Sequence, residues 1–127
     1  MSKKTIFLIE DELDIMFVNK KALTTAGFAV VGLASGKEAM EKIKKVQQEK
    51  EEKPDLILLD LVLPDINGLE ILRAVKENIF TKGIKVFILS NYTSDALLNI
   101  NYIKPEKFIV KSNTSPTQLA EMVKEAL

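Results

Sequence analysis

The chain contains neither histidine nor cysteine, so any chemistry it performs falls to carboxylates, hydroxyls and amines. Imidazole bases, thiolate nucleophiles, disulfides and self-phosphorylation on histidine are all excluded. Five residues of the remaining types stand out by position. Glu10 and Asp11, Asp60, Ser90 and Lys111 each close or directly follow a short apolar run. If the three carboxylates converge at about 4 Å, each pair repels by roughly 4 kcal/mol at an effective dielectric near 20. Such a trio calls for a cation or for raised pKa values. Oxygen donors without imidazole or thiolate select a hard ion such as Mg²⁺. Taken singly, each residue is ordinary: an Asp after a strand is commonly a turn or cap residue, and Asp11, just before the first predicted helix, fits a cap.

The elements that must bring them together follow from hydrophobic patterning. Thr5–Ile9, Ala29–Ala34, Leu56–Leu59, Lys85–Leu89 and Lys107–Val110 are rich in Val, Ile, Leu and Phe and too short for typical helices, so they read as buried strands. Between them apolar residues recur at helical spacing: Ile15, Val18, Ala22 and Ala26; Ala39, Ile43 and Val46; Leu72, Val75 and Ile79; Leu119, Met122, Val123 and Ala126. The weakest helical pattern spans Thr93–Asn101, with Leu97 and Ile100 as its main apolar pair. Strict alternation of strand and helix implies right-handed crossovers and a parallel sheet covered on both faces. Ligands of such sheets sit beyond the carboxyl ends of the strands, where the five residues above fall.

Boundary signals agree with this division. Ser35 with Glu38, and Ser115 with Gln118 and Pro116, fit capping boxes, so helices are expected to begin there. Gly27 and Gly83 are expected at helix C-termini in the left-handed conformation. The second helix is expected to be long, carrying Glu38/Lys42, Glu41/Lys45 and Glu49/Lys53 pairs on a solvated face. No internal repeat or low-complexity linker interrupts the pattern.

The 127 residues leave room for one core, and 18 basic residues balance 18 acidic ones. A zero net charge argues against direct nucleic-acid binding through bulk charge. The apolar stretch near the start is cut short by Glu10-Asp11-Glu12, and no run approaches the roughly 20 residues of a membrane helix. A cytoplasmic protein with no membrane association is the expectation.

At this point the sequence resembles the receiver (response-regulator) domains of two-component signalling, from Ile6 through the last helix. The most specific stretch runs Leu56-Ile57-Leu58-Leu59-Asp60-Leu61-Val62-Leu63-Pro64-Asp65-Ile66-Asn67-Gly68, with Pro four and Gly eight residues after the Asp. The resemblance implies a flavodoxin-like, doubly wound (βα)5 fold of order 2-1-3-4-5, with residues 1–127 as a single receiver domain. It implies that Asp60 accepts a phosphoryl group from a sensor histidine kinase or histidine phosphotransfer protein. Asp11 and Asp60 would ligate Mg²⁺, with Glu10 acting largely through water and the Val62 backbone carbonyl completing the set. Ser90 would hydrogen-bond a phosphoryl oxygen and Lys111 would pair with the phosphate. An inward movement of Ser90 would be coupled to rotation of Phe108. The readout would be a change on the face made by the predicted 93–101 helix, the fifth strand and the last helix, where a downstream effector, an output domain or a second copy binds.

The chain departs from the family pattern at several places. Ser112 stands where a Pro, often cis, usually follows the lysine, and Asn91 replaces the small residue after Ser90. Val62 and Tyr92 occupy the positions that tune acyl-phosphate lifetime. Both position water poorly, so slow self-dephosphorylation is expected. Three alternatives compete. A phosphatase with an Asp nucleophile wants a second Asp two residues on, where Val62 stands. A mononucleotide-binding module wants a Gly-rich loop where Glu10-Asp11-Glu12 would repel a phosphate. A degenerate receiver, binding protein without phosphorylation, would not need all five site residues. Whether the chain works alone or within a longer protein stays open, as do its signal and target.

Overall fold

Each apolar run is a strand because β-branched and aromatic side chains can be buried on both of its faces. The structure, a computed structural model, describes residues 3–91 and 103–127. In it β1 (Thr5–Ile9), β2 (Ala29–Leu33), β3 (Leu56–Asp60), β4 (Lys85–Ser90) and β5 (Lys107–Val110) form one parallel sheet of order β2-β1-β3-β4-β5. The described helices are α1 (Leu13–Thr25), α2 (Gly36–Gln47), α3 (Gly68–Lys76) and α4 (Pro116–Ala126), with a 3₁₀ turn at Lys111–Asn113. The expected helix over Thr93–Asn101 lies outside the described residues.

Alternation along the strands divides the core in two. Phe7, Ile9, Ile57 and Leu59 face α2 and α3 with Ile43, Ile71, Leu72 and Val75. Ile6, Leu8, Leu56 and Leu58 face α1 and α4 with Leu23, Leu119 and Val123. Helices therefore cover both faces, and every strand end on the carboxyl side opens on the same rim.

Several local expectations are corrected. On α1 the buried positions are Asn19 and Leu23, whereas Val18 is 45 % exposed and Leu13 and Phe17 more so. Asp11 is not the cap of α1: Glu12 holds that place, and its side chain makes no capping bond. Helix α2 ends at Gln47, and Glu49 has a left-handed φ of 60°, so Glu49/Lys53 is not a helical pair. Lys42 pairs instead with Glu51, which lies beyond the helix. Helix α3 stops at Lys76, leaving Ile79 74 % exposed in the following turns. Gly83 belongs to those turns rather than to a helix end, and only Gly27, at φ 103°, is left-handed among the described glycines.

The capping at Ser115 closes in both directions, with Ser115 Oγ accepting from Gln118 N at 3.1 Å and Gln118 Oε1 from Ser115 N at 2.8 Å. At α2 only half the box forms. Ser35 Oγ accepts from Glu38 N, but the Glu38 carboxylate reaches one residue further back, to Ala34 N at 2.7 Å. No described helix is long and apolar enough to cross a membrane.

Candidate functional site

Backbone pairing carries the acidic residues to the rim. Glu10 follows β1, and its N–H still donates to Leu33 O of β2 at 3.0 Å; Asp60 is the last residue of β3, and Leu61 N continues the ladder to Leu89 O. One carboxylate oxygen from each of Glu10, Asp11 and Asp60 lies within 4.8 Å of the others. Glu10 and Asp60 are buried and Asp11 is half-buried.

Lys111 reaches in from the end of β5. Its Nζ stands 2.7 Å from Glu10 Oε1 and donates to Asp60 Oδ2 at 3.0 Å. Three carboxylates thus face one ammonium, a formal excess of two negative charges. Burial pushes the Glu10 carboxyl above its usual range; Lys111 and the Glu12 N–H oppose the shift, and the Asp60 charge adds to it. For Lys111 burial favours loss of the proton, but the neighbouring Glu10 and Asp60 carboxylates outweigh it and its pKa stands raised.

The remaining oxygens are held by backbone. Glu10 Oε2 accepts from Glu12 N at 3.1 Å and Asp60 Oδ1 from Val62 N at 3.1 Å. Glu10 Oε1 is buried and accepts no aligned hydrogen bond, its ammonium neighbour being an ion-pair contact only. An all-oxygen donor set, an excess of negative charge and a buried acceptor with spare capacity fit a hard divalent cation.

The loop after β3 is pinned at two points. A Cβ on Gly68 would lie 2.6 Å from Leu61 Cα and 2.7 Å from Asp60 O, so only glycine lets α3 begin against the end of β3, where Gly68 N donates to Leu61 O. Further along, the Asp65 carboxylate accepts from Gly36 N and Lys37 N, both at 2.9 Å, and so caps α2 from a distant part of the chain. Those two N–H groups, Lys37 first, hold the Asp65 carboxyl below its ordinary value. Val62 sits between the anchors, 55 % exposed.

Ser90 ends β4, almost wholly buried, one register step beyond the Asp60–Leu89 pair. Asn91 follows it, and its Oδ1 accepts from Ser112 N at 2.7 Å. The Lys111–Ser112 peptide is trans. Phe108, half-buried on β5, lines a cavity of about 380 Å³ with Leu61, Leu69, Leu72, Ile88 and Ile103. Tyr92 lies outside the described residues. Thus Glu10, Asp11, Asp60 and Lys111 converge, Ser90 stands on the neighbouring strand end, and Phe108 lies under the rim.

Sequence reading missed Asp65 as a cap and Asn91 as a partner of Ser112. The available signal for Asp65 was an Asp in a loop; nothing local names a helix N-terminus 29 residues earlier as its target.

Residues 6–124 match the response regulator receiver domain. Among curated proteins, the chain is similar to the chemotaxis protein CheY of Thermotoga maritima, 29 % identical over 111 residues covering 85 % of each. It is also similar to the chemotaxis protein CheV2 of Helicobacter pylori, 27 % identical over 99 % of this chain but only 39 % of that protein. Against the sensor kinase CckA of Brucella abortus it spans 12 % of the relative's length. Among solved structures, the phosphorylated cyanobacterial phytochrome response regulator RcpA superposes with TM-score 0.81 at 32 % identity, covering 98 % of this chain and 91 % of that one. The Mn²⁺-bound response regulator Rcp1 gives 0.79 at 28 % identity, covering 96 % and 90 %. With five parallel strands in the order 2-1-3-4-5 and a family match over nearly all its length, the chain belongs to the response regulator receiver domains of two-component signalling.

Proposed function

We propose that residues 1–127 act as one receiver domain whose Asp60 takes a phosphoryl group from a phosphohistidine on a sensor histidine kinase or phosphotransfer protein. The observation that carries the reading is the meeting of Lys111 Nζ with Glu10 and Asp60 at 2.7 and 3.0 Å, beside a third carboxylate. An Asp60 oxygen attacks phosphorus, the donor's N–P bond breaks, and an acyl phosphate forms on the carboxylate. The leaving imidazole belongs to the partner, because this chain has no histidine.

Asp60 approaches in a fixed orientation because the Val62 N–H holds Oδ1 and Lys111 holds Oδ2. Lys111 exchanges a carboxylate for a phosphoryl oxygen as charge shifts outward, and the Ser90 hydroxyl supplies a hydrogen bond to another. Glu10, Asp11, Asp60 and the Val62 carbonyl would hold Mg²⁺, which when bound neutralises charge on the transferring group. The phosphorylated RcpA and the Mn²⁺-bound Rcp1 support this assignment. The domain assists its own phosphorylation and dephosphorylation and is a switch rather than a turnover enzyme. Its new charge draws the loops of Ser90 and Lys111 inward, and Phe108 turns within the cavity behind them to change the surface that an effector or a second copy reads. Apolar Val62 beside the reacting group holds no water, so the acyl phosphate hydrolyses slowly.

Incubation with acetyl phosphate and Mg²⁺, read by intact mass, is expected to add one phosphate, with none in Asp60→Asn and none in the presence of chelator. Phosphate appearing unchanged in Asp60→Asn would move the nucleophile elsewhere. A wild-type protein that stays unmodified by both acetyl phosphate and a phosphohistidine donor would leave a phosphorylation-independent binding module instead.

A further inference from the structure

The 3₁₀ turn Lys111–Asn113 begins after Val110, an apolar residue whose side chain cannot cap it. The first N–H groups of such a turn have no acceptor within it. For Ser112 the acceptor comes from the residue that follows β4: Asn91 Oδ1, at 2.7 Å. Thr114 adds internal ties, its Oγ1 donating to Val110 O at 2.9 Å and its N to Lys111 O at 3.4 Å. Asn91 directly follows Ser90, and Ser112 directly follows Lys111. One side chain therefore links the backbone beside Lys111, which meets Asp60, to the backbone beside Ser90 at the end of β4. A Pro at 112 would have no N–H to satisfy.

We infer that Asn91 is a positioning residue, capping the Lys111 turn across the sheet so that the Ser90 and Lys111 loops move as one unit toward Asp60. The latch itself is independent of phosphorylation, whereas its effect on phosphoryl transfer rests on the function proposed above. Without it, the turn keeps the ties of Thr114 and the β5 ladder at Val110, and the ammonium reaches its two carboxylates from a looser base.

The test follows amide exchange at Ser112 and the rate of phosphate uptake from acetyl phosphate in the full chain. Asn91→Ala is expected to speed Ser112 exchange about 10-fold. It should lower the saturating uptake rate about 3- to 10-fold, while the half-saturating Mg²⁺ concentration stays within about 2-fold. Asn91→Asp, which keeps an acceptor oxygen, restores the slow exchange, and Ser112→Ala, which keeps the N–H, behaves as wild type. In a Ser112→Pro background, Asn91→Ala produces no further loss of rate. Unchanged Ser112 exchange in Asn91→Ala, or losses that multiply in the double variant, overturn the inference. If the wild-type chain takes up no phosphate, the exchange measurement still decides whether the latch exists, and the failure belongs to the functional reading.

Discussion

A carboxylate removed from solvent holds its proton more tightly, and Glu10, with no exposed surface, is in that position. Its pKa lies above the ordinary 4.5, so protonation favours the folded state. The stabilisation is complete below pH 4.5 and is lost as pH rises through the higher folded value. In chelator, denaturant titrations of Glu10→Gln and wild type should therefore diverge with pH, the variant gaining relative stability as pH rises above 4.5; a difference that stays flat contradicts the assignment. Asp65 runs the other way. Its lowered pKa means that its support of α2 is present above 3.8 and fades as pH falls through the lower folded value. At this scale the acidic trio, the serine and the lysine were readable from type and position after strands. Asn19 was not, because a buried amide within an apolar pattern looks like an interruption, and three large apolar side chains of α1 point to solvent instead.

Among elements, the strands were the most legible, because continuous apolar runs of four to six residues have few other uses in a chain this short. Helix ends were less so. The turns after α3 contain Ile79 and Phe80, both well exposed, so apolar spacing continued past the point where the helix stopped. Glycines were read through helix caps, which fits Gly27 but misses the tighter constraint at Gly68, set by the backbone of another element. Two substitutions separate these cases. Gly68→Ala forces its methyl against Leu61 and Asp60 and should cost about 1–3 kcal/mol. Gly83→Ala meets nothing within 4 Å and needs no left-handed φ, so it should be neutral or stabilising by up to about 1 kcal/mol. Urea denaturation distinguishes them, and a Gly68→Ala protein as stable as wild type would remove the steric account.

At the scale of the molecule, the two apolar layers flanking the sheet hold the fold, and the charged rim sits outside both. Lys111→Ala should accordingly still melt as one cooperative unit while taking up phosphate poorly. Its loss leaves Glu10 facing Asp60 without a cation, so the variant's deficit in stability should be larger at pH 8 than at pH 5. A variant unfolded at both pH values would make the lysine architectural. The doubly wound arrangement followed from alternation of strand and helix, whereas contacts between distant loops depend on coordinates no local pattern encodes. One of these contacts has a practical side. With Leu61 fastened to Gly68 and Asp65 to the start of α2, residues 62 to 64 bridge two fixed posts, Val62 held by its N–H to Asp60 while its side chain stands exposed. A designer could therefore swap the side chain at Val62 and change what borders the acidic rim, leaving the supporting frame untouched.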